Sequence, residues 1–397
     1  MIEKLAVIQP HLTNASQEMF LELSQHCALD LVVSPAPAGS GFAVAPLPGS
    51  PRIRLFSGPT FMPLGKNFGW IQWSAVKYML RQRPGAVLVN ANPRYLTFWM
   101  TLLWAKVRGI PAYAHGHGFY RRGRIGGAYR MMMRVMLELL TSYVCYAPIV
   151  REAFLENGFS GAKLTVAHNS LINRFPVRPR EKTGEERGIL FIGRLRAGNR
   201  LELLMRVLER IRREDGLPLE LHVIGDGEQR EGLEARARDW PWVRFHGASY
   251  DGGEIRRISL ACFAGCYPGI AGLSVIHMMS LSLPVVTHND LRGHGPEPSF
   301  IRDGVNGLLF DHNRPEASLY GAVRRLALDR DRVAGMRENA FQDYHALANP
   351  SLAARFWAIM GGPERPGRAG TAGAAAPPSP EMVSEARAGA GSPLAKV

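Results

Sequence analysis

"CYPGIAGLSVIHMMSLSLPVVTH", residues 266–288, lies within a run from Ile258 to Asn289 that holds no Asp, Glu, Lys or Arg. In a chain of which 21% is charged, such a run is either a membrane span or the inside of a fold. A span needs roughly 20 consecutive apolar residues compatible with a helix. Here Pro268, Gly269 and Gly272 break the middle, Pro284 follows, and Ser, Thr and His are scattered throughout. The run therefore parses into short elements. SLACFAG leads into Cys266 and Tyr267 as a short buried strand or turn, PGIAG is a loop, LSVIHMMSLS makes about three helical turns, and LPVVTH is a buried strand with a β-branched centre. Strand, glycine loop, helix and strand form a βαβ unit buried on both faces, which accounts for the missing charge. This places Gly272, Leu273 and Ser274 at a helix N-terminus, where free N–H groups and the helix dipole favour a phosphate. The same glycines serve equally in a tight turn without a ligand.

Outward from this unit, two sets of strand and helix patterns flank a polar connector. KLAVIQP, LDLVVSP, GAVLVNAN, IPAYAHG, SYVCYAP and KLTVAHNS read as strands between helical patterns such as YLTFWMTLLWAKVRG and VREAFLENGF. NRFPVRPREKTGEERG, residues 173–188, carries two prolines and dense charge and marks a boundary. GILFIGRL, LELHVIGDG, VRFHG and GLLFD then supply strands of a second set, with LELLMRVLERIRRED as an amphipathic helix. The expected organisation is an α/β protein of two Rossmann-like, doubly wound domains facing across a cleft. Residues 1–176 form the first domain, 177–187 the linker and 188–345 the second domain. A closing helix spans 346–361, and a Gly/Ala/Pro/Ser-rich tail without apolar period, 362–397, is expected to be disordered.

A chain of 397 residues exceeds what one core usually supports. The opening MIEKLAVIQPHLT places Glu3 and Lys4 early and meets Pro10 before a long apolar core develops, which argues against a secretory signal and for the cytoplasm. Cys27, Cys145, Cys262 and Cys266 form no CxxC pair and read as buried thiols. Through Arg180 there are 20 Lys/Arg against 7 Asp/Glu, and from Glu181 onward 28 against 27, so the formal charge of +14 belongs almost entirely to the first half.

GILFIGRL, VIGDG, VRFHG, GLSVIHMMSLSLPVV and GPEPSFIRDGVNGLLF follow one another in an order and spacing that resembles the GT-B glycosyltransferases, specifically the retaining family 4. NANPRYLTFWMTLLWAKVRGIPAYAHGHG and KLTVAHNS extend the likeness more loosely into the first half, over roughly residues 1–340 in all. The resemblance is to a branch among bacterial surface-polysaccharide enzymes, lipopolysaccharide synthesis included, in which PGxxGLxxIH stands in place of Glu-x7-Glu. It implies a nucleotide-diphosphate sugar as donor substrate, with no further cofactor and no metal. It carries Arg194 over as a diphosphate ligand and catalytic stabiliser, Asn199 and Arg200 to the place of a usual lysine, and Asp226 to a turn near the nucleotide base. Gly272, Leu273 and Ser274 become the cradle, and Glu297 the acid of a GGxxE segment. Gly269 and His277 fall where the two glutamates usually stand, so donor recognition must depart from the usual scheme. His117, six residues after Pro111, matches a histidine placed near the transferred sugar; with His115 it also reads as a plain polar turn. His277 reads alternatively as a core histidine and Glu297 as a surface-loop acid. Asp329-x-Asp331 imitates a metal-binding DxD but sits at a charged helix end, past the cleft motifs.

In the basic half, Arg121, Arg122, Arg124, Arg130 and Arg134 surround MMMRVMLELL, and Lys66, Lys77, Arg81 and Arg83 interleave with Phe68, Trp70, Trp73 and Tyr78. Such a face suits an anionic membrane, single-stranded nucleic acid, or water alone. Beside nucleotide-sugar motifs the membrane reading is preferred, and no nucleic acid is expected. The expectation is a metal-independent, retaining transferase acting on a lipid-linked or polysaccharide acceptor, peripheral at the cytoplasmic face of the inner membrane. The missing glutamates and lysine leave a catalytically impaired scaffold for a partner transferase as the alternative. A nucleotide-sugar epimerase is a further one.

Overall fold

The computed structural model describes residues 2–12, 14–35, 50–62 and 69–362. The first half builds seven parallel strands: β1 (Lys4–Ile8), β2 (Ala28–Val33), β3 (Ile53–Ser57), β6 (Ala86–Asn90), β7 (Ala112–Gly116), β8 (Ser142–Cys145) and β9 (Leu164–Val166). Between them a small antiparallel pair, β4 (Thr60–Phe61) and β5 (Ile71–Gln72), stands apart from the main sheet. The strand order is β3-β2-β1-β6-β7-β8-β9, and the reversal beside β1 is where a doubly wound sheet opens a crevice. The helices of this half are α1 (Asn14–His26), α2 (Trp73–Arg81), α3 (Leu96–Val107), α4 (Gly127–Leu139) and α5 (Pro148–Glu156).

The second half builds six parallel strands, β10 (Gly188–Ile192), β11 (Glu220–Ile224), β12 (Val243–Gly247), β13 (Cys262–Cys266), β14 (Val285–His288) and β15 (Gly307–Phe310), in the order β12-β11-β10-β13-β14-β15. Its helices are α6 (Leu201–Glu214), α7 (Arg230–Arg236), α8 (Gly252–Ser259), α9 (Ser274–Ser280), α10 (Pro315–Leu328) and α11 (Arg330–Ala348). The central strands β10 and β13 are buried at every position, as uninterrupted apolar runs require in a sheet covered on both faces. All four cysteines are buried and unpaired.

The chain then returns. Helix α12 (Leu352–Ile359) packs Leu352, Ala353, Phe356 and Trp357 into a core with Phe20 and Leu23 of α1 and with β1 and β2, and Trp357 stacks on His26 at 5.1 Å. Residues 1–363 make one compact unit. The connector is fastened to the second half: Lys182 donates to the carbonyls of Ser259 and Cys262, and Glu186 pairs with Arg337 at 3.0 Å, both buried.

Several elements differ from expectation. Helix α9 has seven residues rather than three turns, because Ser282 adopts a left-handed φ of 55° and Pro284 cannot continue a helix. Strand β3 and helices α2 and α8 were not anticipated; β3 is a half-exposed, arginine-bearing edge that lacks the apolar run of a central strand. Asp329 caps α11, accepting from the Arg332 N–H at 3.0 Å. Among the described residues no helix is long and apolar enough to cross a membrane. The expected tail, apart from Gly362, lies outside the described residues, as do Lys66 and Phe68.

Candidate active site

Three loops at the carboxyl ends of second-half strands converge. They are residues 193–200 after β10, 267–273 after β13 and 289–296 after β14. The Ile270 N–H donates to the Gly198 carbonyl at 3.0 Å, and the Gly295 N–H donates to the Ala271 carbonyl at 2.8 Å. The Ala271 N–H donates to Nδ1 of His294 at 3.1 Å. Nδ1 of His294 must therefore be the bare nitrogen, and Nε2 donates to the His288 carbonyl at 2.9 Å. Burial lowers the pKa of His294 below the ordinary histidine value, which keeps this tautomer neutral. Sequence reasoning missed His294, although a polar side chain between Gly293 and Gly295 was a signal.

The same loop is gripped from the first half. Tyr120 donates its hydroxyl to the His294 carbonyl, and Arg121 donates to the carbonyls of Arg292 at 2.9 Å and Gly293 at 2.8 Å. Asn169, after β9, donates to Glu297 Oε1 at 2.7 Å. Glu297 is 3% exposed, so it is no surface-loop acid, and burial raises its pKa. Its other oxygen approaches Gly272 and Gly295, beside the start of α9.

Arg194 and Arg200 are exposed, and Arg200 starts α6 from a left-handed φ of 51°. Asn199 is 1% exposed and spends its amide on its own loop: Nδ2 donates to the Arg194 carbonyl at 2.6 Å, and Oδ1 accepts from Arg196 Nε at 3.3 Å. Arg196, not singled out in the sequence, is thereby held beside Asn199. Asp226 shapes a turn, accepting from the Gly227 N–H at 2.7 Å while its carbonyl accepts from the Leu195 N–H at 2.9 Å. A Cβ at Gly269 would lie 2.6 Å from the Asn199 Cα. Backbone thus fills the place that the resemblance aligns with a first acid. His277 is half-buried on α9, and burial lowers its pKa to about 4.

Against the second-half loops lies a cavity of about 520 Å³, walled mainly by the first half and α12 and touched by Leu273. His115 on β7 lines it, packed on Tyr146 at 4.1 Å and Phe356 at 4.7 Å, and burial lowers its pKa to about 3. His117 is exposed in the following turn, with Nδ1 3.1 Å from the Gly118 carbonyl, which leaves Nε2 to accept from a hydroxyl. Partial loss of water around its ring lowers its pKa below the ordinary value.

Residues 186–329 match the model of the family Glycosyl transferases group 1. This stretch is similar to a glycosyltransferase domain. A comparison with curated proteins finds no match. Among solved structures, the chain is similar to the Anabaena protein HepE in complex with UDP and glucose, at 13% identity and a TM-score of 0.63, over 90% of this chain and 99% of that one. A glycosyltransferase from Rickettsia africae is 12% identical with a TM-score of 0.65, over 90% and 97% of the two chains. The lipopolysaccharide outer core galactosyltransferase WaaB, in its apo form, is 14% identical with a TM-score of 0.57, over 87% and 99%. The fold is GT-B, with residues 186–329 supplying the three convergent loops and the first half supplying most of the cavity.

Proposed function

We propose that this protein moves a sugar from a nucleotide-diphosphate donor, with retention and without a metal, to a lipid-linked or polysaccharide acceptor in bacterial surface polysaccharide synthesis. The observation that carries this reading is the glycosyltransferase domain match over 186–329, on a segment whose loops gather exposed Arg194, Arg196 and Arg200 opposite the N–H groups that open α9. Guanidinium groups suit phosphate oxygens in shape and charge, and the Gly272, Leu273 and Ser274 amides add the helix end.

In the proposed transfer, the bond from the anomeric carbon to the diphosphate oxygen breaks and the bond to the acceptor oxygen forms on the same face. The leaving diphosphate takes the acceptor's proton. Arg194 and Arg200 stabilise the charge that develops on that leaving group. Neutral His117 and His277 hold sugar hydroxyls, and Asp226 keeps its turn beside the base. The exposed apolar and basic helices of the first half bring the enzyme to the cytoplasmic face of the inner membrane. HepE crystallised with UDP, which makes UDP the first nucleotide to try.

The filled place at Gly269 favours one second reading, a GT-B scaffold that stimulates a partner transferase. Thermal stabilisation by UDP, GDP, TDP and their sugars tests both, because a ligand of the folded state raises its stability. One nucleotide family is expected to raise Tm for the wild type and not for Arg194→Ala. No shift with any of them overturns the donor reading, and sugar transfer by the isolated chain eliminates the scaffold.

A further inference from the structure

The cavity between the first half and α12 differs in chemistry from the rest of the chain. In a protein of formal charge +14, the described residues that line it include no Lys, Arg, Asp or Glu. His115 among them is held neutral by burial. One wall is aromatic: Trp70 and Tyr95 both face the space, with rings stacked 5.1 Å apart at 14°. Thr97 fixes that wall. Its hydroxyl accepts from the Gln72 N–H at 2.7 Å and donates to the Trp70 carbonyl at 3.3 Å, and its N–H donates to the same carbonyl at 3.2 Å. Gln9, Asn90 and Asn169 bring uncharged amides to the same space.

We propose that this cavity is an acceptor subsite for a neutral sugar residue seated on the Trp70–Tyr95 platform. The proposal rests on the glycosyl-transfer reading and names the class of group that receives the sugar. A pyranose offers polarised C–H groups on one face to the electron-rich face of an aromatic ring, and its hydroxyls pair with amides that both donate and accept. A phosphate or carboxylate entering here sheds its water and meets no counter-charge among the described lining residues, which is costly. An acyl chain would suit the apolar part of the wall but would offer no partner to the amide atoms that still need one, such as the buried Nε2 of Gln9. The anionic part of a lipid carrier therefore stays outside, and the sugar it carries goes in.

Saturation-transfer NMR with methyl glycosides of glucose, galactose, mannose, rhamnose and N-acetylglucosamine, against glucuronate, galacturonate and N-acetylneuraminate, tests this with and without UDP. At least one neutral glycoside is expected to bind with a Kd of roughly millimolar order, and the acidic sugars about tenfold or more weaker. Trp70→Leu should weaken the neutral ligand about tenfold and Trp70→Phe by no more than about threefold, since the phenyl ring keeps a face. Tyr95→Leu reads the same platform if the Trp70 variant does not fold. Acidic sugars binding equally well, full affinity in both leucine variants, or no neutral ligand up to roughly 100 mM would each overturn the proposal. Nucleotide stabilisation is scored separately. Neutral glycosides bound at Trp70 by a protein that no nucleotide stabilises would leave the sugar site standing and remove the transfer reading.

Discussion

Gly269 shows at a single residue why this site is built differently. The chain was readable as departing there from Glu-x7-Glu, but what fills the space was not, since Gly198 and Asn199 approach from about seventy residues away in sequence. Restoring the acid should therefore harm rather than help: Gly269→Glu pushes Asn199 out of the loop that holds Arg194 and Arg196. The expected result is at least about a tenfold loss of nucleotide affinity in calorimetry, with a lowered Tm, as for an overpacked core position. Tighter binding in that variant would contradict the geometry. Arg194 stands exposed in the loop after β10, where GRL leads us to expect it. His294 was not legible, because its role depends on meeting the Ala271 N–H across the gap between two loops. Asn199 occupied the expected place but turned its amide inward, a direction that no spacing rule reveals.

At the scale of elements, the strands were legible wherever both faces are covered, because such strands need uninterrupted apolar runs. Edge strand β3 escaped, since Arg54 interrupts it and finds its partner, Asp30, only across the sheet at 2.8 Å. Helices α3 and α4 are amphipathic in an unusual sense. Leu103 (54% exposed), Val107 (85%), Met131 (58%) and Val135 (45%) face outward among Lys106, Arg130 and Arg134. Apolar side chains inserted among cations are the signature of a peripheral membrane face, and the reading predicts a specific outcome. The double variant Met131→Glu, Val135→Glu should reduce cosedimentation with vesicles containing about 30% anionic lipid roughly tenfold, each basic residue near such a surface contributing on the order of 1 kcal/mol. Its stabilisation by nucleotide should be unchanged. Equal sedimentation of variant and wild type would leave these helices as an ordinary solvated surface.

For the whole molecule, histidines wholly or partly shut off from water set a pH dependence. Burial holds His168, His222 and His277 at about 4, against an ordinary value of 6.5. Between those values the unfolded chain binds protons that the folded chain refuses, so stability rises with pH through that window. It is fully present above about pH 6.5 and is lost as pH falls toward about 4. A Tm that stays flat from pH 7 to pH 4.5 would refute this. The split into two parallel sheets on either side of a charged, proline-bearing stretch was legible from the shift in composition. The grip of Tyr120 and Arg121 on the 292–294 loop was not, because nothing local marks it. The return of α12 to the first half has a mechanical consequence. The chain crosses between the halves twice, once through the connector and once just before α12, so the line through the two crossings is the natural axle of any opening motion. A protease that nicks the connector alone cuts only one of two ties, and the pieces should travel together through a sizing column until the second tie is cut or the protein is denatured.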